Sequence, residues 1–359
     1  MNEIQRTIDR LVDHGEERGV QVAVYRDGRQ VVDAVAGVAD PATGRAMTAD
    51  TPVYCYSVGK AMTATVVHVL AERGVLGYDT RVAEVWPEFA AHGKDGVTVR
   101  HVLTHTAGVP GLPADVTVED LCDWDRICAV VADATLWWEP GTKLGYHAYT
   151  FGFILGEVVR RATGRPIGQV LREEIAEPLG VADELFFGMP DAALARAAVL
   201  EEPEGKADMF ASLPDDLPMF AATPKRAFPN AAFGNRADVL RADIPAGGKM
   251  TARAIARLYA ALLGEVDGVR LVSPERLREI TAVAVKDTDQ IMGQESALGL
   301  GFGIGHPTTG SDTVFGWAGV GGTYAWADTA TGTTCAVAKN RLGMDMATVA
   351  AVTDALTAV

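Results

Sequence analysis

The sequence predicts an α+β fold, in which both ends of the chain contribute strands to one antiparallel sheet and the middle is mostly helical. Strand-like patterns separated by turn residues occur only near the two ends. Apolar residues at helical spacing dominate the middle and recur at each terminus. Because the strands and helices are segregated along the chain, we expect an antiparallel sheet flanked by terminal helices, with an inserted helical region.

The N-terminal part of the chain predicts an amphipathic helix followed by a β-hairpin. The helix is charged throughout, and its apolar residues recur at helical spacing: Ile4, Ile8, Leu11 and Val12. Two strand-like runs then flank Asp27 and Gly28, and Asp-Gly between such runs is typical of a two-residue hairpin turn.

The middle of the chain predicts a series of helices, at residues 60–74, 99–105, 118–132, 151–163, 167–175 and 252–263. The C-terminal part returns to strands, with the runs VFGWAG, TYAWAD and TTCAVAKN separated by turns. A last helix is expected at about 345–356, with Asp345 as its N-cap.

These patterns divide the chain into two parts. Residues 1–75 and 270–359 form the predicted sheet domain, and residues 76–269 form the mostly helical domain. Within the latter, residues 192–246 are rich in proline, glycine and aromatic side chains. This segment is interpreted either as a lid over a site between the two parts or as a plain long loop.

Composition excludes some classes of partner. The formal net charge is −15, so the chain does not attract phosphate backbones or anionic lipids, and we expect neither nucleic acid nor a membrane as partner. No run reaches the roughly 18–20 apolar residues of a membrane span, and the charged N-terminus does not resemble a signal peptide. We therefore expect a cytoplasmic protein. Its oligomeric state is not predictable from these patterns.

The cysteines and histidines do not have the spacing of a metal-binding motif. The cysteines are expected to be free thiols, because they form no C-x-x-C pair: Cys55, Cys122, Cys128 and Cys335. His101 and His105 have i, i+4 spacing, but the glutamate of an H-E-x-x-H motif is absent. We therefore expect neither a metal ion nor an organic cofactor.

Ser57 is the candidate nucleophile. Among the five serines of the chain, it alone has a lysine three positions later, Lys60, and a helical pattern begins there. This spacing places the lysine amine beside the serine hydroxyl, and burial can lower the lysine pKa so that a neutral amine accepts the serine proton. The alternative interpretation is a serine that caps a helix, with an exposed lysine.

Two later motifs favour the catalytic interpretation. Tyr146 follows a Pro-Gly turn and precedes a helix, and a tyrosine near a lysine can relay a proton to a leaving group. The alternative for Tyr146 is a core side chain. The glycine-rich run at residues 316–322 can bring a strand edge close to a ligand, so that one of its N–H groups contributes to an oxyanion hole with the N–H of Ser57. The alternative is a turn near a hairpin.

The order and spacing of these three motifs resemble the serine β-lactamase and penicillin-binding-protein superfamily, and within it the class C-like branch, closest to the family VIII carboxylesterases. The resemblance covers most of the chain. It includes VTVRHVLTHTAG at 97–108 and DIPAGG at 243–248. It implies a fold of the β-lactamase/transpeptidase type and an acyl-enzyme formed on serine.

The resemblance assigns roles residue by residue. Ser57 and Lys60 match the S-x-x-K motif, and Tyr146 matches the tyrosine of the Y-x-N motif. By the same alignment, Val320 supplies the strand N–H of the oxyanion hole. The remaining assignments concern substrate binding, and they are Trp317, Gly319 and His147.

Two departures from the superfamily pattern change the expected substrate. Ala148 stands where the Y-x-N motif has asparagine, and Trp317 stands where the K-T-G motif has lysine. Those two side chains normally engage the amide and the carboxylate of a β-lactam or peptide. The resemblance therefore implies a carboxylesterase for small to medium esters, since an apolar Trp317 suits an uncharged group.

Three alternatives remain at this point. A transacylase of secondary metabolism would use the same acyl-enzyme with an alcohol or amine as acceptor. A β-lactamase or D-peptidase is disfavoured by Ala148 and Trp317, and a binding protein without activity is disfavoured by the intact Ser57, Lys60 and Tyr146.

Overall fold

The computed structural model describes residues 3–343 and 345–357. Nine of its strands form one antiparallel sheet, in the order β3-β2-β1-β12-β11-β10-β9-β8-β7, and the other three form a small sheet in the order β4-β6-β5. The strands are β1 Gly19–Arg26, β2 Arg29–Asp40, β3 Arg45–Ala46, β4 Val53–Tyr54, β5 Leu185–Phe186, β6 Lys249–Met250, β7 Val285–Thr288, β8 Glu295–Leu298, β9 Gly303–Ile304, β10 Val314–Gly319, β11 Thr323–Asp328 and β12 Thr333–Lys339.

Helices precede, follow and interrupt these strands. The α-helices are Glu3–Asp13, Gly59–Glu72, Val82–Val85, Val99–Leu103, Val118–Cys122, Trp124–Asp133, Thr150–Thr163, Ile167–Leu171, Asp191–Leu194, Lys206–Ser212, Pro218–Ala222, Ala231–Gly234, Ala237–Arg241, Ala252–Leu263, Pro274–Thr281 and Ala347–Thr357. Tighter 3₁₀ turns occupy Tyr56–Val58, Pro87–Gly93 and Lys225–Ala227, and a π-turn occupies Arg172–Ala176. The predicted α+β architecture is confirmed.

The large sheet is built from both ends of the chain, as the sequence predicts. Asp27 and Gly28 both have positive φ, of 48° and 76°, which is the backbone of the tight turn that matches the twist of a hairpin. β1 then pairs with the C-terminal strand β12, with Val22 opposite Val337. This pairing joins strands from the N-terminal and C-terminal parts of the chain as neighbours in one sheet.

Alternate residues of each strand face opposite sides of the large sheet. One side packs on the terminal helices Glu3–Asp13 and Ala347–Thr357, through the buried side chains Ile4, Ile8, Val20, Val22, Val24, Tyr324, Trp326, Val337 and Val352. The other side joins the main core, through Ala23, Tyr25, Ala325, Ala327, Ala336 and Ala338. The C-terminal helix begins two residues after Asp345, whose Oδ1 accepts a hydrogen bond from the Ala347 N–H at 3.0 Å.

The predicted helix over 118–132 is divided in two. Asp123 has an extended backbone, with φ −100° and ψ 104°, and its side chain accepts a hydrogen bond from the Arg126 N–H as the N-cap of the second helix. Aspartate competes in this way with the helical backbone, so a continuous helical pattern contains a break.

The helix Ala252–Leu263 lies in the predicted helical domain, yet it packs against the large sheet at β1, β11 and β12. The Thr334 hydroxyl donates to the Ala256 carbonyl at 2.9 Å, and the Ala252 N–H donates to Gln21 Oε1 at 3.0 Å. We therefore propose that the sheet part includes residues 252–269, and the other predicted boundaries stay predictions.

Within the described ranges, no helix is long and apolar enough to cross a bilayer.

Candidate active site

Ser57 lies in a short turn of 3₁₀ helix that leads directly into the helix Gly59–Glu72. The preceding residue, Tyr56, has φ of +46°, which a non-glycine residue adopts at a cost and which is common next to functional groups. The Tyr56 hydroxyl donates to the Asn230 carbonyl at 2.6 Å. This hydrogen bond helps to fix the turn. Ser57 is the partly exposed residue within the turn.

The segment at 243–248 fixes the position of this turn. The Cys55 N–H donates to the Gly248 carbonyl at 2.8 Å, and the Gly248 N–H donates to the Tyr56 carbonyl at 3.1 Å. A Cβ on Gly59 would lie 2.2 Å from the Gly248 nitrogen, so only glycine permits this contact. The start of the nucleophile helix therefore rests directly on the DIPAGG run.

Lys60 is 1% exposed, and its Nζ lies 3.1 Å from Ser57 Oγ and 3.1 Å from the Ala246 carbonyl oxygen. No Asp or Glu among the described residues forms an ion pair with this amine. Burial without a compensating charge lowers the pKa of Lys60 well below its usual value. The side chain of Lys60 can therefore exist as the neutral amine, and in that form it can accept a proton from Ser57.

Tyr146 also lies next to the nucleophile. Its hydroxyl donates to Ser57 Oγ at 2.6 Å, and Lys60 Nζ lies 4.9 Å from the centre of its ring. Burial raises the pKa of Tyr146 to about 12, although the Ser57 hydroxyl and the Trp317 side chain act in the opposite direction. Near neutral pH the phenol is therefore protonated and can donate its proton.

The end of β10 passes close to the nucleophile turn. A Cβ on Gly319 would lie 2.1 Å from the Cys55 carbonyl oxygen and 2.4 Å from Thr323 Oγ1, so the close approach requires glycine. Val320 follows the strand and lines the cavity beside Ser57. Among the described residues, neither the Ser57 nor the Val320 backbone N–H has a hydrogen-bond partner, which leaves both available to an oxyanion.

A cavity of about 770 Å³ opens in front of these residues. Its lining includes Met219, Thr223, Phe228 and Pro229 of the predicted lid segment, together with residues 294–298 and 303–305. None of the described residues that line this cavity is a lysine or an arginine. A substrate carboxylate would therefore enter without a cationic partner, which carries a large desolvation cost.

Trp317 also lines the cavity. Its ring is 9% exposed and stacks on His105, with ring centres 5.5 Å apart, and on Tyr146, with ring centres 6.2 Å apart. Ala148 also lines the cavity, where it offers only a methyl group. At the two positions where the resemblance places an amide and a cation, the surface is therefore apolar.

The position of His147 does not fit its predicted role in substrate binding. It is fully buried and does not line the cavity. Its Nε2 accepts a hydrogen bond from the Val109 N–H at 3.0 Å, and its Nδ1 lies 2.6 Å from the Gly145 carbonyl oxygen. Both ring nitrogens form hydrogen bonds with backbone groups. The predicted role of His147 in substrate binding is therefore replaced by a structural role.

Two residues near the nucleophile were not predicted to belong to the site. His105 lines the cavity, and Asp289 accepts a hydrogen bond from the Tyr146 N–H at 3.1 Å. His105 belongs to the VTVRHVLTHTAG run of the resemblance and has i, i+4 spacing from His101, but neither pattern assigned it a role. In the structure it lies beyond the helix end with φ of +56°. Asp289 is 143 residues from Tyr146, and no local pattern relates the two.

Among the described residues, no group of three or more His, Cys, Asp or Glu side chains has the arrangement of a metal site. The four cysteines are free thiols, and three of them are fully buried.

Comparison with known proteins identifies the family of this chain. The β-lactamase family model matches residues 4–358. The esterase/β-lactamase LipL of Mycobacterium tuberculosis is 38% identical over 345 residues, which cover 90% of this chain and 77% of LipL. A crystal structure of a family VIII carboxylesterase is 32% identical with a TM-score of 0.90, over 99% of this chain and 96% of that chain. A penicillin-binding-protein homologue from Caulobacter crescentus is 33% identical with a TM-score of 0.88, over the same shares of the two chains.

The family model and the two solved structures match nearly the whole chain, and LipL matches 90% of it. They agree with the resemblance that the three sequence motifs indicate. The chain therefore belongs to the β-lactamase family and is a serine hydrolase.

Proposed function

We propose that this protein is a carboxylesterase that acts on uncharged esters of small to medium size through an acyl-enzyme on Ser57. The observation that carries the proposal is the position of Ser57 Oγ, which lies 2.6 Å from the Tyr146 hydroxyl and 3.1 Å from Lys60 Nζ at the base of an apolar cavity. The similarity to LipL and to a family VIII carboxylesterase supports it.

In the acylation step, Ser57 Oγ attacks the ester carbonyl carbon and its proton passes to the neutral amine of Lys60. The carbonyl oxygen becomes an oxyanion, which the N–H groups of Ser57 and Val320 stabilise. The bond to the leaving oxygen then breaks, and that oxygen takes a proton from the Tyr146 hydroxyl, which is replenished from the Lys60 ammonium. The alcohol leaves, and the acyl group remains on Ser57.

Deacylation reverses these proton transfers. A water molecule attacks the acyl carbon and gives its proton to the same pair, and Ser57 leaves as the protonated hydroxyl. The directions of the two pKa shifts assign the roles. Lys60 is the base because its pKa is lowered, and Tyr146 is the proton donor because its pKa is raised to about 12.

This assignment predicts the pH dependence of the reaction. The neutral amine of Lys60 exists above its lowered pKa, so kcat/KM should fall with a single ionisation as the pH drops through that pKa. On the alkaline side, Tyr146 stays protonated up to a pH of about 12, so kcat/KM should remain level to pH 10. The measurement is kcat/KM for a p-nitrophenyl ester from pH 5 to pH 10, corrected for spontaneous hydrolysis. A rate that rises as the pH falls would show that the charged lysine is the active form.

The absence of lysine and arginine from the described cavity lining predicts the substrate class. Two p-nitrophenyl esters with six-carbon acyl groups test it, the hexanoate and the adipate monoester, which differ by one terminal carboxylate. We expect kcat/KM to be at least about tenfold higher for the hexanoate, because the carboxylate would be desolvated without a partner. Equal or faster hydrolysis of the adipate, or rapid turnover of a cephalosporin, would contradict the proposal.

Acyl transfer is the second candidate. Met219, Phe228 and Pro229 are apolar and line the same cavity as Ser57, so this lining can favour an alcohol over water as the acceptor. We propose that this part of residues 192–246 is a substrate-selecting wall. Adding a primary alcohol to the hexanoate assay decides between the two activities, since transfer yields the hexanoate ester of that alcohol in place of the free acid.

A further inference from the structure

We infer that His105 is a positioning residue for Tyr146, one that holds the phenol hydroxyl against Ser57 without touching the substrate's reacting atoms. The inference rests on the proposed role of Tyr146 as proton donor.

The residues before and after Tyr146 both donate a backbone hydrogen bond to His105. The Gly145 N–H donates to the His105 carbonyl oxygen at 3.0 Å, and the His147 N–H donates to His105 Nδ1 at 3.0 Å. The N–H of Tyr146 itself donates to Asp289 Oδ1 at 3.1 Å. Three consecutive amides are therefore fixed, two of them by one histidine, and the Tyr146 backbone has little freedom to shift.

The His105 ring also supports the Tyr146 ring. It is 1% exposed and stacks on Phe151 and Trp317, with ring centres 4.9 and 5.5 Å apart, and it lies 5.2 Å from the centre of the Tyr146 ring. A side chain packed between two aromatic faces has few alternative positions. The backbone contacts and the ring contacts therefore act on the same residue.

Two further features indicate that the arrangement of His105 is maintained for function. Its φ of +56° is unfavourable for most side chains and persists only where the surroundings enforce it. Because Nδ1 accepts a hydrogen bond, the neutral ring carries its proton on Nε2, and this buried Nε2 has no partner among the described residues. An unsatisfied buried polar atom has a cost in stability that a purely structural residue would not need.

The test combines three variants of His105 and Tyr146 with ethyl hexanoate as substrate, because departure of an alkoxide requires a proton donor whereas p-nitrophenolate leaves without one. His105→Leu removes the Nδ1 acceptor, and we expect kcat to fall about 100-fold while KM changes less than about threefold, because a displacement of about 1 Å is enough to misalign a proton donor. His105→Asn places an amide oxygen at the position of Nδ1 and tolerates positive φ, so we expect kcat within about fivefold of the wild type.

A double mutant separates positioning from general damage. If His105 acts through Tyr146, then His105→Leu should have little further effect on kcat in a Tyr146→Phe background. Should the leucine variant not fold, His105→Gln takes its place in the same cycle, because its amide lies one bond beyond the Nδ1 position. The matched control is His68→Asn, which removes another fully buried histidine, bonded to Tyr78 and to the Leu300 carbonyl, and should lower thermal stability without changing kcat.

The outcomes distinguish this inference from the proposed function. If Tyr146→Phe keeps full activity, the proposed function fails. If Tyr146→Phe is impaired but the effect of the His105 variant multiplies with it in full, or if His105→Asn is as impaired as the leucine variant, the positioning role is overturned.

Discussion

Replacing Ser57 with alanine is expected to lower kcat/KM for p-nitrophenyl hexanoate by roughly 10⁴- to 10⁶-fold, since the loss of a nucleophile removes the covalent route altogether. Ser57 Oγ is the only atom that both the Tyr146 hydroxyl and the Lys60 amine reach within hydrogen-bond distance in the described structure. The variant should fold normally, because Ser57 is a partly exposed residue and the loss of one hydroxyl leaves no cavity in the core.

The matched control for this variant is Ser296→Ala. Ser296 also lines the cavity, but it lies on β8 and has no lysine three residues later. The Ser296→Ala variant should retain kcat within a few-fold of the wild type, because the Lys60 amine and the Tyr146 hydroxyl are hydrogen-bonded to Ser57 and not to Ser296. A Ser57→Ala variant with more than a tenth of wild-type activity would remove the proposed mechanism.

Replacing Lys60 with methionine is expected to lower kcat by about 10²- to 10⁴-fold, the usual contribution of a general base. Methionine approximates the length of the lysine side chain, so packing around residue 60 is kept while the amine is lost. Removal of a buried amine also relieves its desolvation, and we expect the melting temperature to stay within a few degrees of the wild type.

Lys94→Met provides the comparison for a buried lysine outside the site. Lys94 is fully buried, and its ammonium donates to the Ala91 and Ala134 carbonyls. Its replacement should lower stability, since two carbonyls lose their donor, but should leave kcat unchanged. If both lysine variants lose activity equally, the loss at Lys60 reflects folding rather than proton transfer.

The sequence predicts the parts of the fold that depend on local patterns. The hairpin at Asp27 and Gly28 follows from the positive φ that both residues adopt, and the terminal helices follow from apolar residues at helical spacing. The short strands β7 to β9 are not predictable in this way, because β7 is exposed and polar and β9 has only two residues. β9 pairs with β10, β8 with β9 and β7 with β8, so these strands form by adding one after another to the edge of the sheet at β10, which is a tertiary contact.

In the candidate site too, local sequence patterns predict some residues, and tertiary contacts determine the others. Ser57, Lys60 and Tyr146 lie together as the motifs indicate, because the helix spacing joins the first two and the motif order relates the third. Asp289 could not be found from the sequence, since its contact with Tyr146 arises from a loop that only the folded sheet positions. For His147 the motif was uninformative, because neighbouring positions of a turn face opposite directions and only packing decides which one enters the cavity.

The central claim is that Ser57 carries the acyl group, and intact-mass spectrometry with peptide mapping tests it most directly. The protein is incubated with p-nitrophenyl hexanoate, quenched in acid within one turnover, and compared with the Ser57→Ala and Ser296→Ala variants. We expect a single hexanoyl adduct on the peptide that contains Ser57, in the wild type and in Ser296→Ala but not in Ser57→Ala. An adduct on another residue, or one that persists in Ser57→Ala, would contradict the account.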